Sequence, residues 1–224
     1  DPNKQNDMGM IPLNWTAMRG RKEAVEVFFA KEGNLVLEDS FGRTPLHFAS
    51  YMGNGQTLKY LLSKGLDGNT DDSDGQTPLH FAAKSGRADL AQILLDSDAM
   101  VNVIDKNGRT PLHIASINGM AEVVSLLLHK GADPAIEDKT GSTAAQSAVL
   151  YSHPLTIDVF KNNGIQIEQS PHLGFDLSRK LNEGEAMIWY LDHCGFAVKT
   201  KSHFLIFDYS PRGTDEPPAL NNGH

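Results

Sequence analysis

Thr77-Pro78-Leu79-His80 is the stretch on which the fold turns, because the same tetrapeptide stands at Thr44-Pro45-Leu46-His47 and at Thr110-Pro111-Leu112-His113. Successive copies are 33 residues apart. Weaker versions keep the period on both sides, Ile11-Pro12-Leu13-Asn14 before and Thr143-Ala144-Ala145-Gln146 after. A fixed repeat of this length makes a row of small units resting on one another, not one closed globule. Such rows usually present a surface for another macromolecule and carry no chemistry of their own.

Ahead of each copy lies a turn signal: Asn6-x-x-Gly9, Asp39-x-x-Gly42, Asp72-x-x-Gly75, Asp105-x-x-Gly108 and Asp138-x-x-Gly141. Asp or Asn can bond its own backbone two residues on, and glycine takes positive φ without a Cβ clash. Thr then stands where a helix N-cap is wanted, with Pro at the first helical position, where its missing N–H costs nothing. The spacing predicts a short first helix ending near a second glycine column, Gly20, Gly53, Gly86 and Gly119. A second helix follows, with Phe28, Leu61, Leu94, Leu127 and Phe160 in one register and Val27, Tyr60, Ile93, Leu126 and Val159 beside it. Within a unit the apolar spacing is helical, as in Leu58, Leu61 and Leu62. A lone helix pair cannot bury that face, so neighbouring units must cover it.

This pattern resembles ankyrin repeats, most completely over about 39–138, where Gly-x-Thr-Pro-Leu-His-x-Ala and a later Leu-Leu recur. The resemblance implies a β-turn and two antiparallel helices per unit, in a curved stack that binds partners on its concave side. The expected fold class is mainly α: a solenoid of about five helix-turn-helix units over 1–165, divided at about 6–38, 39–71, 72–104, 105–137 and 138–165. The outer two units read as caps. Unit one has Ile11 for Thr, Asn14 for His, and a charged second helix with Arg21, Lys22, Glu23 and Glu26. The fifth lacks the Pro, has Gln146 for His, and carries Pro154 near its second helix. Further repeats ahead of Asp1 stay open.

Hydrophobic content of 40% and charged content of 21% suit a folded chain, whereas a net charge of −8 argues against a binder of nucleic-acid phosphates. No apolar run approaches the roughly 20 residues that span a bilayer. Cys194 is the single cysteine, so no internal disulfide is expected. The chain begins at Asp1 and shows no signal peptide, which leaves the compartment open. A soluble, cytoplasmic protein is favoured over one exported after removal of a leader.

Positions that vary from unit to unit beside constant core columns are the binding candidates, since stacking does not explain them. At the turn tips these are Phe41 and Arg43, Asp74 and Gln76, Asn107 and Arg109. At the ends of the first helices they are Met18 and Arg19, Tyr51 and Met52, Lys84 and Ser85, Ile117 and Asn118. Aromatic, Met and Arg side chains are enriched as interface anchors. A protein segment, or an adjoining domain of the same protein, is the expected occupant.

Two tempting sites give way to simpler readings. His47, His80 and His113 occupy successive layers roughly 8–10 Å apart, too far for one zinc whose ligands sit at about 2.0–2.1 Å. They are expected to bond local backbone. The stretch Asp67-Gly-Asn-Thr-Asp-Asp-Ser-Asp-Gly75 hints at a calcium loop, yet Asp72 stands where the loop needs glycine and Pro78 where it needs a bidentate Glu. Solvated turn residues are the expected reading, and no cofactor is expected in this chain.

After Gly164 the period fails. Residues 166–185 read as a linker, and 186–224 as a short antiparallel β segment of an incomplete α/β domain. The run Ile188-Trp-Tyr-Leu-Asp-His-Cys-Gly-Phe-Ala-Val-Lys-Thr200, followed by Phe204-Leu-Ile-Phe-Asp208, resembles the opening of a metallo-β-lactamase-fold hydrolase, with Asp192 where that family commonly has Gly. The resemblance implies an αββα sandwich whose His-x-His-x-Asp-His motif sits on a later loop. That motif does not occur here, so this chain is expected to be non-enzymatic, with zinc belonging to a longer parent. His193, Cys194 and His203 lie in or beside hairpin connections and do not make up a ligand set of the family type. Truncation of the sheet is the favoured expectation over cover of one face by the repeats and of the other by another chain, and a third reading is pairing of its exposed edge with another copy.

Overall fold

The computed structural model describes residues 3–31, 38–52 and 54–167, together with the backbone of three strands at 186–191, 195–200 and 204–208. Contacts divide the chain into two compact units, residues 1–172 and 173–224. In the first, helices come in five pairs: α1 (Pro12–Met18) with α2 (Lys22–Ala30), α3 (Pro45–Met52) with α4 (Gly55–Ser63), α5 (Pro78–Ser85) with α6 (Ala88–Leu95), α7 (Pro111–Ile117) with α8 (Ala121–His129), and α9 (Ala144–Leu150) with α10 (Pro154–Asn162). First helices pack on first helices and second on second, pair after pair. The described part of this unit is mainly helical.

Leu13, Leu46, Leu79 and Leu112 fill the layer between first helices, and Phe28, Leu61, Leu94, Leu127 and Phe160 the layer between second helices, all of them buried. Burying one such side chain is worth about 1.5–3 kcal/mol, and no unit could do it alone. Tyr60, Ile93, Leu126 and Val159 lie half-buried against this core. Val27 differs and is 61% exposed, because α2 ends the row and packs on a second helix at one side only. Ile165 and Ile167 also reach the core, so packing of the fifth unit runs past 165.

The turns are locked by the aspartates that open them. Asp72 Oδ1 accepts the N–H groups of Asp74 and Gln76, both at 2.9 Å, while its own N–H donates to the Gln76 carbonyl. Asp39, Asp105 and Asp138 repeat the arrangement, and Asn6 accepts from Met8 and Met10. Gly75 sits at φ +77°, and a Cβ there would stand 3.0 Å from the Lys106 nitrogen. That closeness has a purpose. Lys106 N–H donates to the Asp74 carbonyl across the junction at 2.8 Å, as Ser40, Ser73 and Lys139 do to Met8, Phe41 and Asn107.

Each histidine ties two units together. His47 Nδ1 accepts the Thr44 N–H at 3.0 Å, which leaves the proton on Nε2, and Nε2 donates to the Gln76 carbonyl of the next unit at 2.9 Å. His80 reaches the Arg109 carbonyl and His113 the Ser142 carbonyl in the same way. Burial pushes all three imidazoles below their ordinary value of 6.5, against the pull of the accepting carbonyls and nearby aspartates. Gln146 reproduces the inner half of the device, its Oε1 accepting the Thr143 N–H at 2.8 Å. Asn14 does not. It is fully buried and neither side-chain polar atom has a partner, because it is too short to span the junction and Ile11 offers no hydroxyl.

In the second compact unit, β1 (Ala186–Leu191), β2 (Gly195–Thr200) and β3 (Phe204–Asp208) pair antiparallel in the order β1-β2-β3, with Ile188 opposite Val198 and Ala197 opposite Ile206. The connections holding His193, Cys194 and His203, and most of the 166–185 linker, lie outside the described residues.

Two outcomes follow from these junctions. Unfolded imidazoles titrate near 6.5 and the folded ones lower. Between those values the unfolded chain therefore binds more protons, and stability is lost as pH falls below about 6.5. Urea midpoints should drop from about pH 7.5 to about pH 5, and His80→Gln should make the drop shallower. A pH-independent midpoint would contradict the neutral, doubly bonded imidazoles. Separately, Ile11→Thr with Asn14→His should raise stability by about 1 kcal/mol, the net worth of a hydrogen bond restored to a buried junction, read as a higher thermal midpoint.

Candidate partner-binding surface

Two rows of side chains stand on the face formed by the turn tips and the first helices. Along the tips, Phe41 is 54% exposed, and Asp74 and Asn107 are exposed as well, since the ladder uses their carbonyls and leaves their side chains outward. Along the helix ends, Tyr51 is 44% and Met52 52% exposed, and Arg19 and Lys84 stand in solvent. Met18, Ser85, Ile117 and Asn118 are half-buried: Met18 packs on the core, Ser85 Oγ donates to the Ala82 carbonyl, and Asn118 Nδ2 donates to the Ile114 carbonyl at 2.8 Å.

The three residues closing the turns face inward instead. Arg43 holds the buried Asp39 carboxylate through Nε at 2.8 Å and Nη2 at 2.6 Å. Gln76 Nε2 reaches Asp105 Oδ2 of the next unit at 3.4 Å, and Arg109 Nε stands 3.7 Å from Asp138 Oδ2. Burial pushes Asp138 up, but the Thr140 hydroxyl and the N–H groups of Thr140 and Ser142 outweigh it and hold the carboxyl below its ordinary value. These side chains fasten turns first and offer only an edge to a partner.

An aromatic seam joins the two rows. The Arg43 guanidinium lies over the Phe41 ring at 4.8 Å and the Phe48 ring at 5.0 Å. The Phe81 ring meets His47 edge-on at 5.1 Å and Tyr51 at 6.2 Å. Such contacts, each worth about 0.5–1.5 kcal/mol, hold the seam rigid from the tip to the end of α3. Phe48 and Phe81 fill the place between His and Ala in units two and three. Met8 belongs to the tip row, and Leu150 and Tyr151 to the helix-end row, all three exposed. Carrying the repeat one period further in each direction finds them.

Each of the three buried histidines has both ring nitrogens engaged, and among the described residues no group of three or more His, Cys, Asp or Glu is placed to hold a metal ion. The Asp67–Gly75 stretch is turn machinery: Asp67 accepts the Asn69 N–H, Asn69 bridges to Asp98 and Met100, and Asp72 anchors its turn. Among the described residues no helix is long and apolar enough to cross a membrane.

Fold and face together define a helical repeat solenoid with a structured surface. A family model described as ankyrin repeats in three copies matches residues 1–72 and again 66–138, and the chain belongs to the ankyrin-repeat family. Members of this family are in general protein–protein interaction modules and typically not enzymes. No curated protein matches the chain.

Structural and free members of the face should separate on substitution. Arg43→Ala strips two charge-assisted bonds from a buried carboxylate and should cost about 1–3 kcal/mol in urea unfolding. Lys84→Ala, which removes an exposed side chain, should stay within about 0.5 kcal/mol of the parent. Equal costs at both sites would contradict the inward role of Arg43.

Proposed function

We propose that this chain is a binding module that docks a protein segment, or an adjoining domain of its own protein, across the turn tips and the ends of the first helices. The observation that carries the proposal is the seam itself. Phe41, Tyr51 and Met52 are large apolar side chains left exposed beside fully covered leucine columns, and Phe48 and Phe81 hold their surroundings rigid. Rigid, exposed aromatic and Met groups lose little entropy on contact and are the residue types that act as anchors. The metals and cofactors of an enzyme have no place in this reading.

A second reading concerns the parent protein: a metal-dependent hydrolase of the metallo-β-lactamase fold, with the repeats as a targeting or covering module. It is supported by the residues of 188–208 quoted above and by the hairpin that β1 and β2 make. A His-x-His-x-Asp-His encoded within a few tens of residues after His224 would favour it, and a stop codon there would defeat it.

The binding reading is tested by cross-linking the chain to its partners in an extract of its source, beside a Tyr51→Ser/Met52→Ser variant. Tyr51 gives up one edge contact with Phe81 and Met52 is exposed, so the far-ultraviolet circular dichroism melt should fall by no more than about 4 °C while the captured partner falls by about tenfold or more, as expected for loss of two anchors. Undiminished capture with an intact fold would remove this face from the function.

A further inference from the structure

The face carries exposed apolar side chains in units one, two and five and exposed lysines in units three to five. Met8, Phe41, Tyr51 and Met52 are exposed in units one and two. Lys84 stands at the Tyr51 place of unit three, and Lys106 and Lys139 stand one residue before the Phe41 place of units four and five, all exposed and, among the described residues, without an ion pair. The helix-end row from Met18 to Tyr151 contains no acid at all, and the outer tip positions hold only Asp7 and Asp74. Yet the chain as a whole carries −8. Its exposed acids gather on the second helices, as Glu122 and Asp158, and on the legs entering the turns, as Asp71 and Glu137. The outer positions of the two rows therefore hold Arg19, Lys84, Lys106 and Lys139 against Asp7 and Asp74.

We infer that the partner is an extended protein segment with an apolar or aromatic anchor that seats on units one and two and acidic residues that run over Lys84, Lys106 and Lys139. The inference rests on the binding reading above and adds the chemistry of the occupant. The scale fits an extended chain. Stacked units lie roughly 10 Å apart and an extended strand advances about 3.3 Å per residue, so about three residues cross one unit and about a dozen cross the row. A basic segment would leave the three lysines facing like charge, which is disfavoured at a docked interface. Anionic membrane lipid shares the acidic chemistry. It is the less favoured source because Lys106 and Lys139 stand one repeat apart on turn tips and Lys84 at a helix end, single cations and not a broad patch.

The test is selection of a displayed random peptide library, about 12 residues long, on the whole chain. Fluorescence anisotropy of a labelled winner then follows on wild type, Tyr51→Ser/Met52→Ser and Lys84→Glu/Lys106→Glu. Winners are expected to combine an apolar anchor with two or more Asp or Glu. The charge-reversed variant should bind them about tenfold more weakly or worse, with the loss shrinking at high salt. Changing the winner's acids to Gln should weaken binding to wild type but not further to the charge-reversed variant, the signature of a direct pair. Basic or uncharged winners that still depend on Tyr51 and Met52 would overturn the acidic segment and leave the binding face standing. Winners indifferent to both variants would overturn both. An empty selection, with phosphatidylserine vesicles sedimenting wild type but not the charge-reversed variant, would overturn the protein segment in favour of a membrane.

Discussion

The bond from a buried imidazole to the backbone carbonyl of the next unit is what the rest of this solenoid depends on. His47, His80 and His113 each accept a threonine N–H on one ring nitrogen and donate from the other across the junction. An imidazole has this geometry because its two nitrogens point in different directions and, when neutral, differ in role. The device acts at two levels at once: it completes the cap of a first helix and fixes the height at which the following turn sits. With that height set, the tip N–H and C=O groups of neighbouring turns meet at 2.8–3.0 Å, and the leucine layers close behind them.

Much of this is legible in the sequence because each constraint calls for a particular residue at a particular place. A positive φ in a turn pressed against its neighbour admits glycine, a cap admits threonine, and a buried layer admits leucine. Repetition then multiplies the signal. The candidate surface was legible only in outline. Variation between units marks positions that stacking leaves unconstrained, but it cannot tell a side chain that points outward from one that bonds a neighbour. Arg43, Gln76 and Arg109 vary like the rest of the surface and still turn toward aspartates of their own or the next unit. Any donor of suitable length satisfies an aspartate, so the position drifts in identity while its role persists.

Asn14 marks the opposite limit. Its side chain occupies the histidine position, is as deeply buried, and has no partner for either polar atom. A buried amide without hydrogen bonds costs about 1–3 kcal/mol, so the junction of units one and two is the weak one. The aromatic seam does not reach this junction, since Arg43 stacks on Phe41 and Phe48 within unit two. Phe29 edge-on to Tyr60 at 6.5 Å and Lys22 over the Tyr60 ring at 5.7 Å cross it instead.

That arrangement separates two jobs that a closed globule must perform with the same residues. In a globule a new surface side chain often disturbs packing beneath it. Here the ladder and the imidazole ties run through backbone atoms and a few fixed side chains, so Phe41, Asp74 and Asn107 can differ completely while their carbonyls make the same bond. The outward rows are therefore free to take whatever chemistry a partner demands, unit by unit. Exposed lysines and exposed apolar side chains in such rows are not needed for stacking, since Lys84 and Lys106 make no ion pair among the described residues and Tyr51 and Met52 stand in solvent. What stacking does not require, and what costs solubility where it is apolar, is most economically explained by contact with something outside the solenoid.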